Sequence, residues 1–327
     1  MEWSCGYMKR RTFIAALGGA AAWPLVGRAQ QRFHIGLLVT GGSTPLIELL
    51  VSTLAELGYS EGKNAAIERR FAEGNLNDLR DFAADLVRLH VDVIVTVGTP
   101  AGFAAKQATG TIPIVLAGSA DPVGVGLVDS LARPGGNVTG NSLMSSDLSA
   151  KRLEILLAAV PSISRIAILW DSSNPGMARR VHETEAAADQ SHIFLRNVGP
   201  RNSDELEAAF AELSSQRPDA LLVTAEAFTR RYMGRILDFA MSNHLPAMYE
   251  DSGYVEAGGL MSYGPDYRAV FRRGAALVDK VLKGVKPSDL PIEQPTTFEL
   301  VINLKTAKAI GLDFPAGVLT RADQVIE

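Results

Sequence analysis

The chain has 327 residues, with 36 Asp and Glu against 32 Lys and Arg side chains and a net charge of −4. That balance offers no basic face for nucleic acid or for an anionic membrane surface. The single cysteine, Cys5, precedes every stretch patterned like a folded domain, which excludes a disulfide framework and a Cys-ligated metal centre there.

Lys9, Arg10 and Arg11 form a basic segment ahead of an apolar run over 13–26, and Gly27-Arg28-Ala29 supplies small residues for cleavage after Ala29. The run is too short and too rich in Gly and Ala to span a bilayer. It also lacks the polar face of an amphipathic helix. Arg10-Arg11-Thr12-Phe13-Ile14 resembles a twin-arginine export motif, with the Sec route as the alternative. An export signal over 1–29 and a periplasmic destination are expected. Removing it takes away Lys9, Arg10, Arg11 and Arg28 against Glu2 alone, and leaves a mature chain of about −7. No later apolar run is long enough to cross a membrane, and the mature length is enough for two domains.

Beyond the leader, short apolar runs alternate with helical patterns, the rhythm of parallel α/β structure. Strands are predicted at 34–40, 65–71, 91–98, 112–118 and 137–143, and helices after Pro45, after Asn77 and at Thr99-Pro100. A second alternation follows, with strands at 165–170, 193–198, 219–225 and 246–249. Between them lies a helix opened by an Asn202/Glu205 capping pattern. The last section carries a strand at 260–263, a long helix over 266–283, the Pro-punctuated stretch "KPSDLPIEQP" read as an extended crossing, and the strand "TFELVIN".

In open parallel sheets, ligands bind where strands end and helices begin. At those junctions stand Gly42, Ser43, Thr99, Pro100, Ser119 and Asp121 in the first half, and Asp171, Ser173, Asn174, Thr224, Glu226, Tyr249 and Glu250 in the second. Free N–H groups at helix starts can hold a carboxylate, and the carboxylates can receive an ammonium. Tyr249 is the aromatic candidate for a ligand wall. The same residue types also serve as ordinary caps and turns, so each loop alone says little. Catalytic motifs are missing: there is no Gly-x-Ser-x-Gly elbow, no Walker loop, no Gly-x-Gly-x-x-Gly after the first strand, and five scattered histidines without metal spacing. No enzyme, no cofactor and no metal are expected.

"LGYSEGKNAAIERRFAEG", "ADPVGVGLVDSLARPGGNVTG", "KRLEILLAAVP", "EAGGLMSYGPDYRAVFRRGAALVDKVLKG" and "DLPIEQPTTFELVINLKTAKAIGL" resemble the ABC transporter substrate-binding family that includes tryptophan/tyrosine-type binding proteins. The resemblance runs from about Phe33 to the C-terminus. It implies a type I periplasmic binding fold: two doubly wound parallel-sheet lobes joined by three crossing segments near 141–147, 250–258 and 288–296. Lobe 1 is then 30–143 plus 259–287, and lobe 2 is 144–258 plus 288–327. It further implies a small organic ligand, amino-acid-like by preference, captured by hinge closure and passed to a membrane permease with a cytoplasmic ATPase. The protein is expected to be a monomer. A ligand-sensing receptor and, behind it, an exported hydrolase in the same cleft are the alternatives. "LWDSSNPG" departs from the family's pattern by its bulky, charged Trp170-Asp171.

Overall fold

The structure, a computed structural model, describes Met1, residues 33–143 and residues 148–327. The export motif with Arg10 and Arg11, the cleavage site at Ala29, and residues 144–147 of the first crossing lie outside the described residues.

The first lobe is built on a sheet of β1 (Phe33–Val39), β2 (Ala65–Phe71), β3 (Val93–Val97), β4 (Ile114–Ser119) and β5 (Val138–Ser142). Their order is β2-β1-β3-β4-β5 and every pairing is parallel. The connecting helices are α1 (Pro45–Glu56), α2 (Asp78–Arg88) and α3 (Thr99–Ala108). Alternate side chains of β1 enter separate cores: Ile35, Leu37 and Val39 pack with Ile47 and Leu50 of α1, whereas Leu38 packs with Leu86 of α2 and Ala101 of α3. A strand buried on both faces reads as an unbroken apolar run for this reason. Thr44 caps α1, its hydroxyl accepting from Ile47 N, and Pro45 takes the first helical position, where no N–H is needed.

The second lobe contains α4 (Ser149–Ala159), β6 (Arg165–Leu169), α5 (Ala178–Gln190), β7 (Phe194–Val198), α6 (Ser203–Gln216), β8 (Ala220–Val223), α7 (Ala227–Arg231), α8 (Met233–Ser242), β9 (Ala247–Tyr249), α9 (Ser252–Glu256) and β10 (Met261–Pro265). After α10 (Tyr267–Leu282) and a short 3-10 turn, β11 (Phe298–Asn303), α11 (Leu304–Ile310), α12 (Ala316–Leu319) and β12 (Gln324–Ile326) complete it. The sheet runs β12-β11-β10-β9-β8-β6-β7, parallel except between β10 and β11. Here too the faces alternate: Ile166 and Ile168 point to one core, Ala167 and Leu169 to the other. Asn202 caps α6 by accepting from Glu205 N at 2.9 Å, as the capping pattern requires.

Two assignments differ from the sequence reading. Residues 259–287 were expected in lobe 1, but β10 pairs with β9 and β11 in the second sheet. Only from α10 does the chain return, with Phe271, Ala275 and Val278 in the first core, so the second crossing falls at Asp266, between β10 and α10, and not at 250–258. An apolar tetrapeptide reveals a strand but not its neighbours. Gly264 lies within β10 at a close approach of strands, since a Cβ there would collide with the carbonyl oxygen of Glu250. Likewise 288–292, expected in lobe 2, stay with lobe 1. Leu290 is in the first core, and Glu293 N donates to Gly140 O while Ser142 N donates to Glu293 O, so "LPIEQP" extends along the β5 edge before crossing.

Candidate ligand-binding cleft

The carboxyl ends of the two sheets face one another across a cleft of about 280 Å³, near the small end of cavities that hold small molecules. Gly42 and Ser43 after β1, and Thr99 and Pro100 after β3, form the first-lobe wall together with Leu46, Ile47 and Leu143. Tyr267 and Phe271, one turn apart at the start of α10, complete it with aromatic rings. Opposite stand Asn174, Met177, Arg180, Glu226 and Arg230.

Six of the residues expected from sequence thus line the cleft: Gly42, Ser43, Thr99, Pro100, Asn174 and Glu226. The others lie behind it or at its mouth. The Ser119 hydroxyl lies 3.2 Å from the Thr99 hydroxyl and steadies it. Thr224 donates to Glu226 at 2.8 Å, while the Asp171 backbone N–H donates to the same oxygen at 2.6 Å. The Asp171 carboxylate itself turns to Ser173, accepting from its N–H and its hydroxyl. Asp121 pairs with Arg179 at 2.6 Å, bridging the lobes. Tyr249 is no ligand wall: it is 1% exposed and stacked on Tyr254 at 4.8 Å, its ring filling the core under the cleft. Trp170 also faces away, donating to Asn197 on β7.

The second-lobe wall is electrostatic. Glu250 receives Arg152 at 2.8 Å, Arg180, and the Ala225 N–H at 2.8 Å. Its neighbour Asp251 takes Arg230 instead, whose guanidinium also lies over the Tyr267 ring at 5.2 Å. Arg180 is 1% exposed, and its Nε finds no acceptor among the described residues. Burial pushes the Glu226 carboxyl up to about 8, the nearby Asp171 charge adds to the rise, and the hydrogen bonds from Asp171 N and Thr224 oppose it. At neutral pH that carboxyl is therefore mainly protonated.

Sequence reading missed Arg180, Arg230, Tyr267 and Phe271. A signal existed for Arg180: it shares the buried face of α5 with Val181, Thr184 and Ala188, an odd position for an arginine without a partner. Tyr267 and Phe271 continue the apolar stripe of α10 and look like core, which they also are.

The lobes touch at several points. Arg231 donates to the carbonyl of Glu73, and a Cβ on Gly176 would come within 2.9 Å of the Thr99 hydroxyl. The cleft is closed. Among the described residues no group of three or more His, Cys, Asp or Glu is placed to hold a metal, and no helix is long and apolar enough to cross a membrane.

Two α/β lobes closing on a small polar-and-apolar cleft define a solute-binding protein of the type I periplasmic fold. The chain belongs to the ABC transporter substrate binding protein family, whose model matches residues 46–326. A tyrosine-binding protein of Clostridioides difficile (strain R20291) is 29% identical over 263 residues, 80% of this chain and 75% of the relative. A Streptococcus pneumonia ABC domain in complex with L-Trp matches with TM-score 0.84 and 29% identity, over 90% of this chain and 100% of that one. The ligand-free, open structure of a Clostridium difficile substrate binding protein with adhesive properties matches at TM-score 0.63 and 26% identity, covering 90% and 99% of the two chains. The lower score against the open form agrees with the lobe-to-lobe contacts.

Proposed function

We propose that this protein is exported to the periplasm, loses its leader after Ala29, and captures a small amino-acid-like solute with an aromatic side chain. Closure of the lobes buries the solute, and the closed form docks on a membrane permease driven by a cytoplasmic ATPase. The solute leaves chemically unchanged, no cofactor takes part, and the protein acts as a monomer. The observation that carries this reading is the division of the cleft. Buried Arg180 and Glu226 offer a polar, ionisable end on one side, and Leu46, Ile47, Tyr267 and Phe271 an apolar end on the other. An amino acid with a flat side chain has that same division. The tyrosine-binding relative and the L-Trp complex support the choice.

Ligand binding selects closure because contacts from both walls exist only in that state. Micromolar affinity corresponds to about 8 kcal/mol, enough for that selection. Titration calorimetry of residues 30–327 with L-tryptophan, L-tyrosine, L-leucine and L-glutamate tests the reading. Micromolar binding of an aromatic amino acid with weak binding of glutamate is expected. Tight glutamate binding, or conversion of the bound compound, overturns it.

A further inference from the structure

Tyr267 opens α10 directly after the second crossing, where Asp266 caps the helix by accepting from Ala269 N at 3.0 Å. Its ring is 6% exposed and shares the first core with Phe271 and Ala275, yet it also lines the cleft. Arg230 lies over the ring at 5.2 Å and is itself held by Asp251. The charges that act on the Tyr267 hydroxyl are those of Arg230, Asp251, Glu250 and Arg180, all of the second lobe, so the polar end of the ring faces across the cleft. Burial pushes this hydroxyl up to about 12, and it therefore keeps its proton and can donate.

Among the described residues the hydroxyl has no hydrogen-bond partner. The carboxylates it faces are committed elsewhere. Glu250 accepts from Arg152 on one oxygen and from Arg180 and the Ala225 N–H on the other, while Asp251 holds Arg230 and accepts from the Gly253 N–H. Arg180 has a similar vacancy at its Nε, which also finds no acceptor among the described residues. A buried donor left unpaired costs free energy, so two of them on residues lining one cleft call for an acceptor that enters through it. A carboxylate fits that need, since it only accepts and its two oxygens can take several donors at once.

We propose that the Tyr267 O–H and the Arg180 Nε–H, one from each lobe, hold the carboxylate of the solute between them, and that Tyr267 thereby selects solutes that carry one. This rests on the amino-acid reading above and gives the amino acid's carboxylate its place. Hydrogen bonds with an ionised partner are the stronger kind, so the hydroxyl should weigh on affinity well beyond the packing of its ring. Because α10 packs in the first core and α5 in the second lobe, the two donors converge only when the lobes shut. The carboxylate is thus the group that links closure to the identity of the solute.

The test is calorimetry of residues 30–327, as wild type, Tyr267→Phe and Arg180→Lys, with L-tryptophan and with tryptamine, which lacks the carboxylate. Wild type should bind L-tryptophan at least about tenfold more tightly than tryptamine. Tyr267→Phe keeps the ring and removes the hydroxyl; it should weaken L-tryptophan about tenfold and tryptamine less than about twofold. Arg180→Lys keeps a cation for Glu250 without the Nε–H, and should also weaken L-tryptophan more than tryptamine. Thermal unfolding without ligand is the control: Tyr267→Phe should melt at or above wild type, because it sheds an unpaired buried hydroxyl. A lower melting temperature means that the hydroxyl has a partner within the protein, and overturns the proposal. Equal losses for the two compounds, the mark of a packing role or of a bound water, overturn it as well, as does unchanged L-tryptophan affinity in Tyr267→Phe. Tryptamine binding to wild type as tightly as L-tryptophan overturns it and leaves solute capture standing, whereas failure of both compounds to bind wild type overturns the amino-acid reading with it.

Discussion

The two walls of the cleft are made by the same kind of strand-to-helix junction, yet they offer different chemistry. The first lobe presents turn backbone, the hydroxyls of Thr40, Ser43, Thr44 and Thr99, one carboxylate, Glu73, and a floor of Leu46, Ile47, Tyr267 and Phe271. The second presents ionisable groups almost wholly out of water, each braced from behind: Arg180 by Glu250, and Glu226 by Asp171, Thr224 and Asn174. Burial strengthens a charge interaction and raises the cost of leaving a charge unpaired, so buried charge discriminates more sharply than apolar area does. The second lobe should thus choose the head of the solute and the first lobe the shape of its side chain.

The contrast predicts graded effects. Arg180→Met, which keeps the volume and leaves Glu250 with Arg152, should weaken the aromatic amino acid by at least about 100-fold, since losing one partner of a buried charge pair costs about 2–5 kcal/mol; calorimetry reads this directly. Phe271→Leu keeps the core but loses the ring, and should cost about 1 kcal/mol, or roughly fivefold in Kd. Equal losses from both variants would erase the distinction between the walls.

Glu226→Gln tests the electrostatics of the empty protein. A carboxyl at about 8 in the folded chain and at its ordinary 4.5 in the unfolded one holds a proton on folding throughout that interval. Stability must then fall as pH rises from about 4.5 to 8 and become independent of this group above it. The Gln variant should lose that dependence and melt a few degrees above wild type at pH 8, as thermal unfolding without ligand would report. The smallest effect is expected at the mouth. Asp121→Asn breaks the half-exposed pair with Arg179, worth up to about 1 kcal/mol, and should raise the dissociation rate no more than about fivefold in stopped flow.

Much of the architecture was legible because strands buried on both faces and helices with one buried face write their periods into the chain. Ile35 to Val39 and Ile166 to Leu169 illustrate the first, and the α10 stripe from Tyr267 to Val281 the second. Partner choice was less legible. Met261 pairs with Met248 and Ile302 through backbone hydrogen bonds common to every residue, so nothing in "LMSY" names its sheet. The first-lobe wall could be read from its turns, since Gly42, Ser43, Thr99 and Pro100 stand at strand ends. Arg180 could not be read that way, because it reaches the cleft from inside a helix, and Tyr249 failed as a wall because a strand-end ring can turn under the cleft as easily as into it.

Small-angle scattering of residues 30–327, with and without the aromatic amino acid that binds in calorimetry, tests the central claim that one solute draws two lobes shut around it. A smaller radius of gyration with ligand, matching the closed structure, together with a larger one without it and recovery of the intact amino acid, is the expected result. An unchanged radius on saturation, or recovery of an altered compound, would contradict it.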